Sequence, residues 1–171
     1  ILRRTLGMAT INACAFSQPI ANENVEATFA VEVFEEDIVG FVGYIRPLVK
    51  KLKDNVKRVI VFDNRETEEV YPPEKQAELL PMCDVVYITG SSFINHTIDT
   101  LLEHCSNARD IVLVGPTTPM FPKAYEGTKV RVISGGIWRK ETKEEMFECI
   151  AKESGVPKLS PFLQKKSMKI N

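Results

Sequence analysis

The sequence is poor in the residues that most chemistry at neutral pH depends on. Histidine occurs twice, at His96 and His104, and cysteine four times, at Cys14, Cys83, Cys105 and Cys149, never as a CxxC pair. No HExxH, Cys/His cluster or G-x-S-x-G elbow is present, which sets aside the common zinc sites and hydrolase triads. No apolar run approaches the ~18 residues of a membrane span. Basic charge is not in excess either: 22 Lys and Arg stand against 23 Asp and Glu, so no concentrated basic face for nucleic acid is expected. The n-region, h-region and cleavage site of a signal peptide do not appear in order, and the scattered cysteines read as reduced core thiols. A cytoplasmic setting is the expectation.

What is there is an alternation of short apolar runs with helix-period segments. Residues 38–42 (IVGFV), 58–62 (RVIVF), 85–88 (VVYI), 111–114 (IVLV) and 130–133 (VRVI) are near-continuously apolar and β-branched. Strands covered on both faces of a parallel sheet read this way. Between them, Pro47 opens a helix with the stripe Ile45, Leu48, Val49, Leu52. Pro72 and Pro73 open a second helix, which Pro81 closes. Ser91 or Ser92 caps a third, with the stripe Ile94, Ile98, Leu101, Leu102, Cys105, and Thr142 with Glu145 forms a capping box for a fourth. Segment 115–127 carries three prolines and two glycines and reads as a shaped loop. Residues 3–16 read as a helix with Leu6, Ala9, Ala13 and Phe16 on one face. Residues 26–36 fit either a strand or a short helix, and the lysines after Pro157 suggest a solvated tail.

At 171 residues the chain can bury one core. The expectation is one Rossmann-like α/β domain over 1–155, three layers around a mostly parallel sheet of about five strands, then a basic tail over 156–171.

In such a sheet, ligands bind beyond the carboxyl ends of the strands. The residues there are Gly40 and Gly43 in G-x-x-G; Asp63, Asn64 and Arg65; the segment Thr89, Gly90, Ser91, Ser92, Phe93, Ile94, Asn95, His96, Thr97; Gly115, Pro116, Thr117, Thr118, Pro119; and Ser134, Gly135, Gly136. Glycines admit close backbone approach, and small hydroxyls beside a helix start make a polar cradle. An acid at the position of Asp63 accepts ribose hydroxyls in dinucleotide-binding folds. The G-x-G-x-x-G fingerprint is incomplete, and His96 is the sole metal-ligand candidate in the cradle.

Several of these segments, with RTLGMATINA at 4–13, VGYIRPL at 42–48, DVVYITGSSFINHT at 84–97, DTLL at 99–102, ARDIVLVGPTTP at 108–119 and the Gly135-Gly136 pair, resemble an uncharacterised family described as a putative heavy-metal chelation domain, domain of unknown function 364. The resemblance implies a Rossmann-like domain with a pocket at the strand ends. It also implies a smaller N-terminal domain like the enolase N-terminal fold, beyond the start of this chain. Carried over by position, it implies Gly43, Thr89, Ser91, Asn95, Thr97, Gly115, Pro116, Thr117, Gly136 and Asn12 as pocket residues.

Three functions follow as expectations. The first is binding of a small polar or anionic metabolite or a metal chelate, with metal arriving already chelated. The second is an enzyme using a nucleotide-type cofactor or S-adenosylmethionine, with Asp63 on the ribose. The third is a structural module that pairs with a second copy of itself. The expected partner is a small molecule, not nucleic acid or a membrane.

Overall fold

The computed structural model describes residues 1–15, 18, 31–65, 67, 69–152 and 155–170. The expected face residue Phe16 and residues 26–30 of the ambiguous acidic segment lie outside them.

The apolar runs form a parallel sheet: β1 (Ile38–Val42), β2 (Arg58–Phe62), β3 (Val85–Thr89), β4 (Asp110–Val114) and β5 (Val130–Trp138). A sixth strand, β6 (Leu163–Lys169), pairs antiparallel with β5 from Val132↔Lys169 to Trp138↔Leu163. The spatial order is β2-β1-β3-β4-β5-β6. The chain thus winds one way from β1 to β2 and the other way from β3 onward, and the switch falls between β1 and β3.

Side chains alternate between the two faces of the sheet, and each face has its own core. One face buries Ile60, Phe62, Val86, Ile88, Ile111, Leu113 and Ile133 against Leu79, Leu80, Leu101, Met120 and Tyr125. The other buries Val39, Phe41, Val61, Val85, Tyr87, Val112 and Val132 against Leu48, Val49 and Leu52 of α2 (Arg46–Leu52). Phe41 and Tyr87 stack on neighbouring strands with ring centroids 4.9 Å apart. Helix α2 has the expected proline in its first turn and buries Leu48, Val49 and Leu52 of the expected stripe, with Ile45 half-buried at its N-cap. Among its described residues, the connection after β2 carries the short helix α3 (Gln76–Leu79), flanked by 3₁₀ turns at Pro73–Lys75 and Leu80–Met82. Pro81 therefore continues a turn here and does not end a helix.

Further expectations need correction. The tail over 156–171 is not a loose end: α7 (Val156–Leu159) and a 3₁₀ turn lead into β6, whose Ser167 hydroxyl lies 2.8 Å from that of Ser134. β5 continues through Ser134, Gly135 and Gly136, so these residues are strand and not a strand-end loop. The third helix is two, α4 (Ser91–Asn95) and α5 (Ile98–His104), because His96 turns to φ 63 and breaks the run. Neither Ser91 nor Ser92 caps α4; Gly90 stands at the cap. Thr142 precedes α6 (Lys143–Ala151), but its hydroxyl bonds back to Arg139 O at 3.1 Å, so no capping box forms.

Helix α1 (Leu2–Cys14) packs through a different face from the one the sequence suggests. Met8 and Ala15 are buried and Asn12 is half-buried, whereas Leu6, Ala9 and Ala13 are exposed. Residues 31–36 form neither strand nor helix. No helix among the described residues is long and apolar enough to cross a membrane.

Candidate functional site

β1 ends at Val42, and Gly43 follows with φ +95. There its N–H donates to Phe62 O at 2.8 Å, which ties the end of β1 to the end of β2. A Cβ on Gly43 would stand 3.1 Å from Thr89 Cγ2 at the end of β3. Glycine is required here twice over, by its backbone angle and by the closeness of β3 across the switch point.

Asp63 organises what comes next. Its Oδ2 accepts the Tyr44 N–H at 2.8 Å, and its Oδ1 accepts the Arg65 N–H at 3.1 Å, with Arg65 Nε 3.3 Å away. Both oxygens of the carboxylate thus hold loop backbone, joining the β1 and β2 loops. The Arg65 side chain stays 59% exposed, so its guanidinium is held at the root and open at the tip. Tyr44 is braced by its hydroxyl on Glu69 at 3.1 Å and by the Arg46 guanidinium 5.6 Å from its ring centroid.

The third wall comes from β3 and α4. Thr89 Oγ1 lies 3.4 Å from both Ser91 Oγ and Ser91 N. The Thr97 N–H donates to Ser92 O at 3.0 Å, which folds Thr97 back beside α4.

These walls enclose a cleft of about 460 Å³, a volume suited to a small molecule. Val42, Ile45, Phe62 and Pro73 supply its apolar parts, and Tyr44, Asn64, Gln76, Ser91 and Asn95 are among its polar ones. It lies where β1 and β3 diverge in the winding, the place where open α/β sheets bind ligands.

Of the residues singled out from the sequence, Gly43, Asp63, Thr89, Ser91, Ser92, Asn95 and Thr97 line this cleft. Gly90, Gly115, Thr117 and Asn12 form an adjoining group on the β4 side: Asn12 Nδ2 donates to Thr117 O at 3.3 Å, and a Cβ on Gly90 would stand 2.5 Å from Thr118 N. Half-buried Pro116 sits in the same turn. Gly135 and Gly136 are elsewhere, inside β5. A Cβ on either would run into Met120 Sδ at 2.7 Å or Leu163 Cγ at 2.5 Å, so both make room for packing. His96 is exposed and outside the cleft lining. Sequence reasoning missed Tyr44, Ile45, Pro73 and Gln76. Tyr44 and Ile45 directly follow the G-x-x-G and could have been found there, whereas nothing local marks Gln76.

A heavy metal held by this chain's side chains alone fits the described residues poorly, since no three His, Cys, Asp or Glu residues among them come together. The two deepest thiols are poor donors as well. Burial pushes Cys83 up to about 12, aided by Asp84, and burial followed by the neighbouring Cys83 pushes Cys105 to about 12. Both stay protonated at neutral pH, and the thiolate is the metal-binding and nucleophilic form. Alkylation of the native protein with iodoacetamide is expected to spare Cys83 and Cys105 until denaturant is added; rapid native labelling of either, read by mass spectrometry, would contradict this burial.

Residues 26–169 match the model of a family described as "DUF364: Putative heavy-metal chelation". An uncharacterized protein of Methanocaldococcus jannaschii is 35% identical over 135 residues, 74% of this chain and 51% of that protein. The chain therefore spans about half the length of the curated relative it matches. A crystal structure of a DUF364 protein of unknown function from Pyrococcus horikoshii superposes with a TM-score of 0.84 at 25% identity, over 98% of this chain and 68% of that one. A second, from Desulfitobacterium hafniense, superposes with a TM-score of 0.76 at 29% identity, over 92% and 61%.

Proposed function

The chain belongs to the family described as putative heavy-metal chelation, and from that premise we propose that it binds a small anionic metabolite in the cleft at the ends of β2, β1 and β3. One observation carries the reading. At the switch point of the sheet, Asp63 pairs with Arg65 through its Nε at 3.3 Å while the side chain stays 59% exposed, and Arg65 lines the same cleft as Thr89 and Ser91. A guanidinium recognises carboxylate or phosphate through paired N–H donors, and hydroxyls complete such a cradle. A metal enters this scheme as cargo, bound within an organic chelate whose free carboxylates the cleft reads.

The dinucleotide or S-adenosylmethionine reading rests on a carboxylate free to accept ribose hydroxyls. Both Asp63 oxygens already accept backbone N–H groups, which favours the anion site over that alternative.

Citrate, with and without a bound divalent metal ion, is a suitable probe by calorimetry. Arg65→Met is expected to weaken citrate binding about tenfold or more, the usual scale for a hydrogen bond to a charged group. The double variant Ser91→Ala with Asn95→Ala should also lose binding while its melting temperature holds. Unchanged affinity in both variants would sink the anion site. A melting temperature raised by S-adenosylmethionine or NAD, but not by citrate, would instead favour the cofactor reading.

A further inference from the structure

We propose that the anion taken by the cleft is a polyhydroxylated one: a compound with one carboxylate or phosphate group and several hydroxyls, of the sugar-acid or sugar-phosphate class. The inference deepens the anion-site reading and rests on it.

Charge sets the first limit on the ligand. Among the described residues of the lining, Asp63 and Arg65 are the charged pair, and they stand against each other at 3.3 Å. Their formal charges cancel. The guanidinium can receive one anionic group through donors that Asp63 does not use. Each further charge on the ligand would enter the cleft with no cation among these residues to meet it, and an unpaired charge is costly to take out of water. A single anionic group is therefore favoured over a polyanion.

The uncharged polar lining sets the second limit. Asn64, Gln76 and Asn95 bring primary amides from three places, the loop after β2, α3 and α4. Among the described residues, these three amides make no hydrogen bond, and Gln76 is half-buried. A primary amide both donates and accepts, and so does a hydroxyl; a carboxylate only accepts and leaves the amide oxygen unmatched. Thr89 and Ser91 add hydroxyls of the same double character. Val42, Ile45, Phe62 and Pro73 offer apolar surface to a carbon skeleton. The ligand that uses all three kinds of surface carries its anion at one position and hydroxyls along the rest of its chain.

Calorimetry on the whole chain compares gluconate with hexanoate, the carboxylate of the same carbon count without hydroxyls. Gluconate is expected to bind about tenfold tighter or more, the scale of a few net hydrogen bonds. It should also bind tighter than citrate, whose extra carboxylates meet no cation, and tighter than sorbitol, which lacks the anion. Glucose 6-phosphate set against gluconate tells a phosphate headgroup from a carboxylate, the tighter binder naming the one preferred. Gln76→Met keeps the length of the side chain and removes its amide, so the gluconate-to-hexanoate ratio should fall toward one. A merely structural role for Gln76 would leave that ratio unmoved. Asn95→Ala gives the same reading should Gln76→Met fold poorly. A wild-type ratio near one, a ratio kept in both variants, or citrate bound tighter than gluconate overturns the polyhydroxylated class while the anion site stands. If Arg65→Met leaves the affinity for every one of these carboxylates unchanged, or sorbitol binds as well as gluconate, the anion site itself falls and this inference with it.

Discussion

Replacing Gly90 with alanine is expected to destabilise the protein by about 3 kcal/mol, the upper range for forcing extra atoms into a packed site. The new Cβ would stand 2.5 Å from Thr118 N and 2.7 Å from the carbonyl carbon of Thr117, both backbone atoms that no rotamer change can move. Nor is the main chain free to give way. Gly90 N is bound to Val114 O at 2.9 Å, Gly115 N to Ser134 O at 2.9 Å and Thr118 N to Gly115 O at 3.0 Å, so the ends of β3, β4 and β5 would have to shift together. For a domain of this size the melting temperature should fall by roughly 10 °C. Gly7→Ala is the matching control. Nothing lies within 4 Å of a Cβ there, and the residue sits within α1, where alanine is favoured over glycine by about 0.5–1 kcal/mol. Denaturant titrations of the two variants should therefore move in opposite directions. A Gly90→Ala midpoint equal to wild type would mean that the turn at 115–118 does not close on β3 as described.

The same contrast explains what could be read from the sequence. β1 and β2 match their apolar runs residue for residue, because a strand buried on both faces carries its signal in composition alone. β5 was cut short at Ser134 because Ser-Gly-Gly has the local chemistry of a turn. Those residues stay in the sheet since β6 pairs with them and Met120 and Leu163 fill the space their missing side chains leave, facts that only the tertiary structure holds. β6 itself was hidden by its lysines. They suggest a solvated tail, yet Lys165 and Lys169 occupy an edge strand, where charge guards against pairing with another chain. Within it Lys166 and Met168 share one face, which Ile170 continues just past its end, a pattern too short and too polar to stand out.

The cleft was legible where chemistry is concentrated in sequence and obscure where it is not. The run from Thr89 to Thr97 carries its hydroxyls and amide together, and Thr89, Ser91, Ser92, Asn95 and Thr97 do line the cleft. Asp63 was legible as a cleft residue, but an acid at a strand end can face a ligand or its own loop, and its bonds to the Tyr44 and Arg65 N–H groups are visible only in the structure. Gln76 reaches the cleft from a helix of four residues, with no spacing to announce it. His96 drew notice as a rare titratable group, yet its place in the fold is to break the helix at φ 63.

Arg109→Met is expected to cost about 2 kcal/mol at neutral pH, less than a fully buried pair because the arginine is 41% exposed. Arg109 grips Asp37 with both arms, at 3.1 and 2.9 Å, and also donates to Glu32 O at 3.0 Å and to Asp110 at 3.0 Å. Its guanidinium lies 4.9 Å from the Phe34 ring centroid. Asp37, 5% exposed, additionally accepts the Phe34 N–H at 2.8 Å. The clasp fastens the segment before β1, whose Val31 and Val33 pack on the second face of the sheet, to the start of β4. The hydrogen bond from Arg109 holds the Asp37 carboxyl below its ordinary value of 3.8 against the opposing effect of burial, and the Phe34 N–H adds to it. A carboxylate lowered on folding contributes stability above its unfolded value, and that contribution is lost as pH falls through the lower folded value. Wild type should therefore keep this contribution down to about pH 4 and surrender it only below. In Arg109→Met, burial acts on Asp37 without its counter-ion, so the carboxyl titrates higher and acid destabilisation begins at a higher pH. Denaturation midpoints measured at neutral pH and down an acid series read both effects. Because the clasp sits at the opposite end of the strands from the cleft, citrate affinity of the folded variant at neutral pH should stay at the wild-type value. Equal stability and an equal acid midpoint in the variant would show that the clasp contributes nothing, and a loss of citrate binding would show that the two ends of the sheet are coupled.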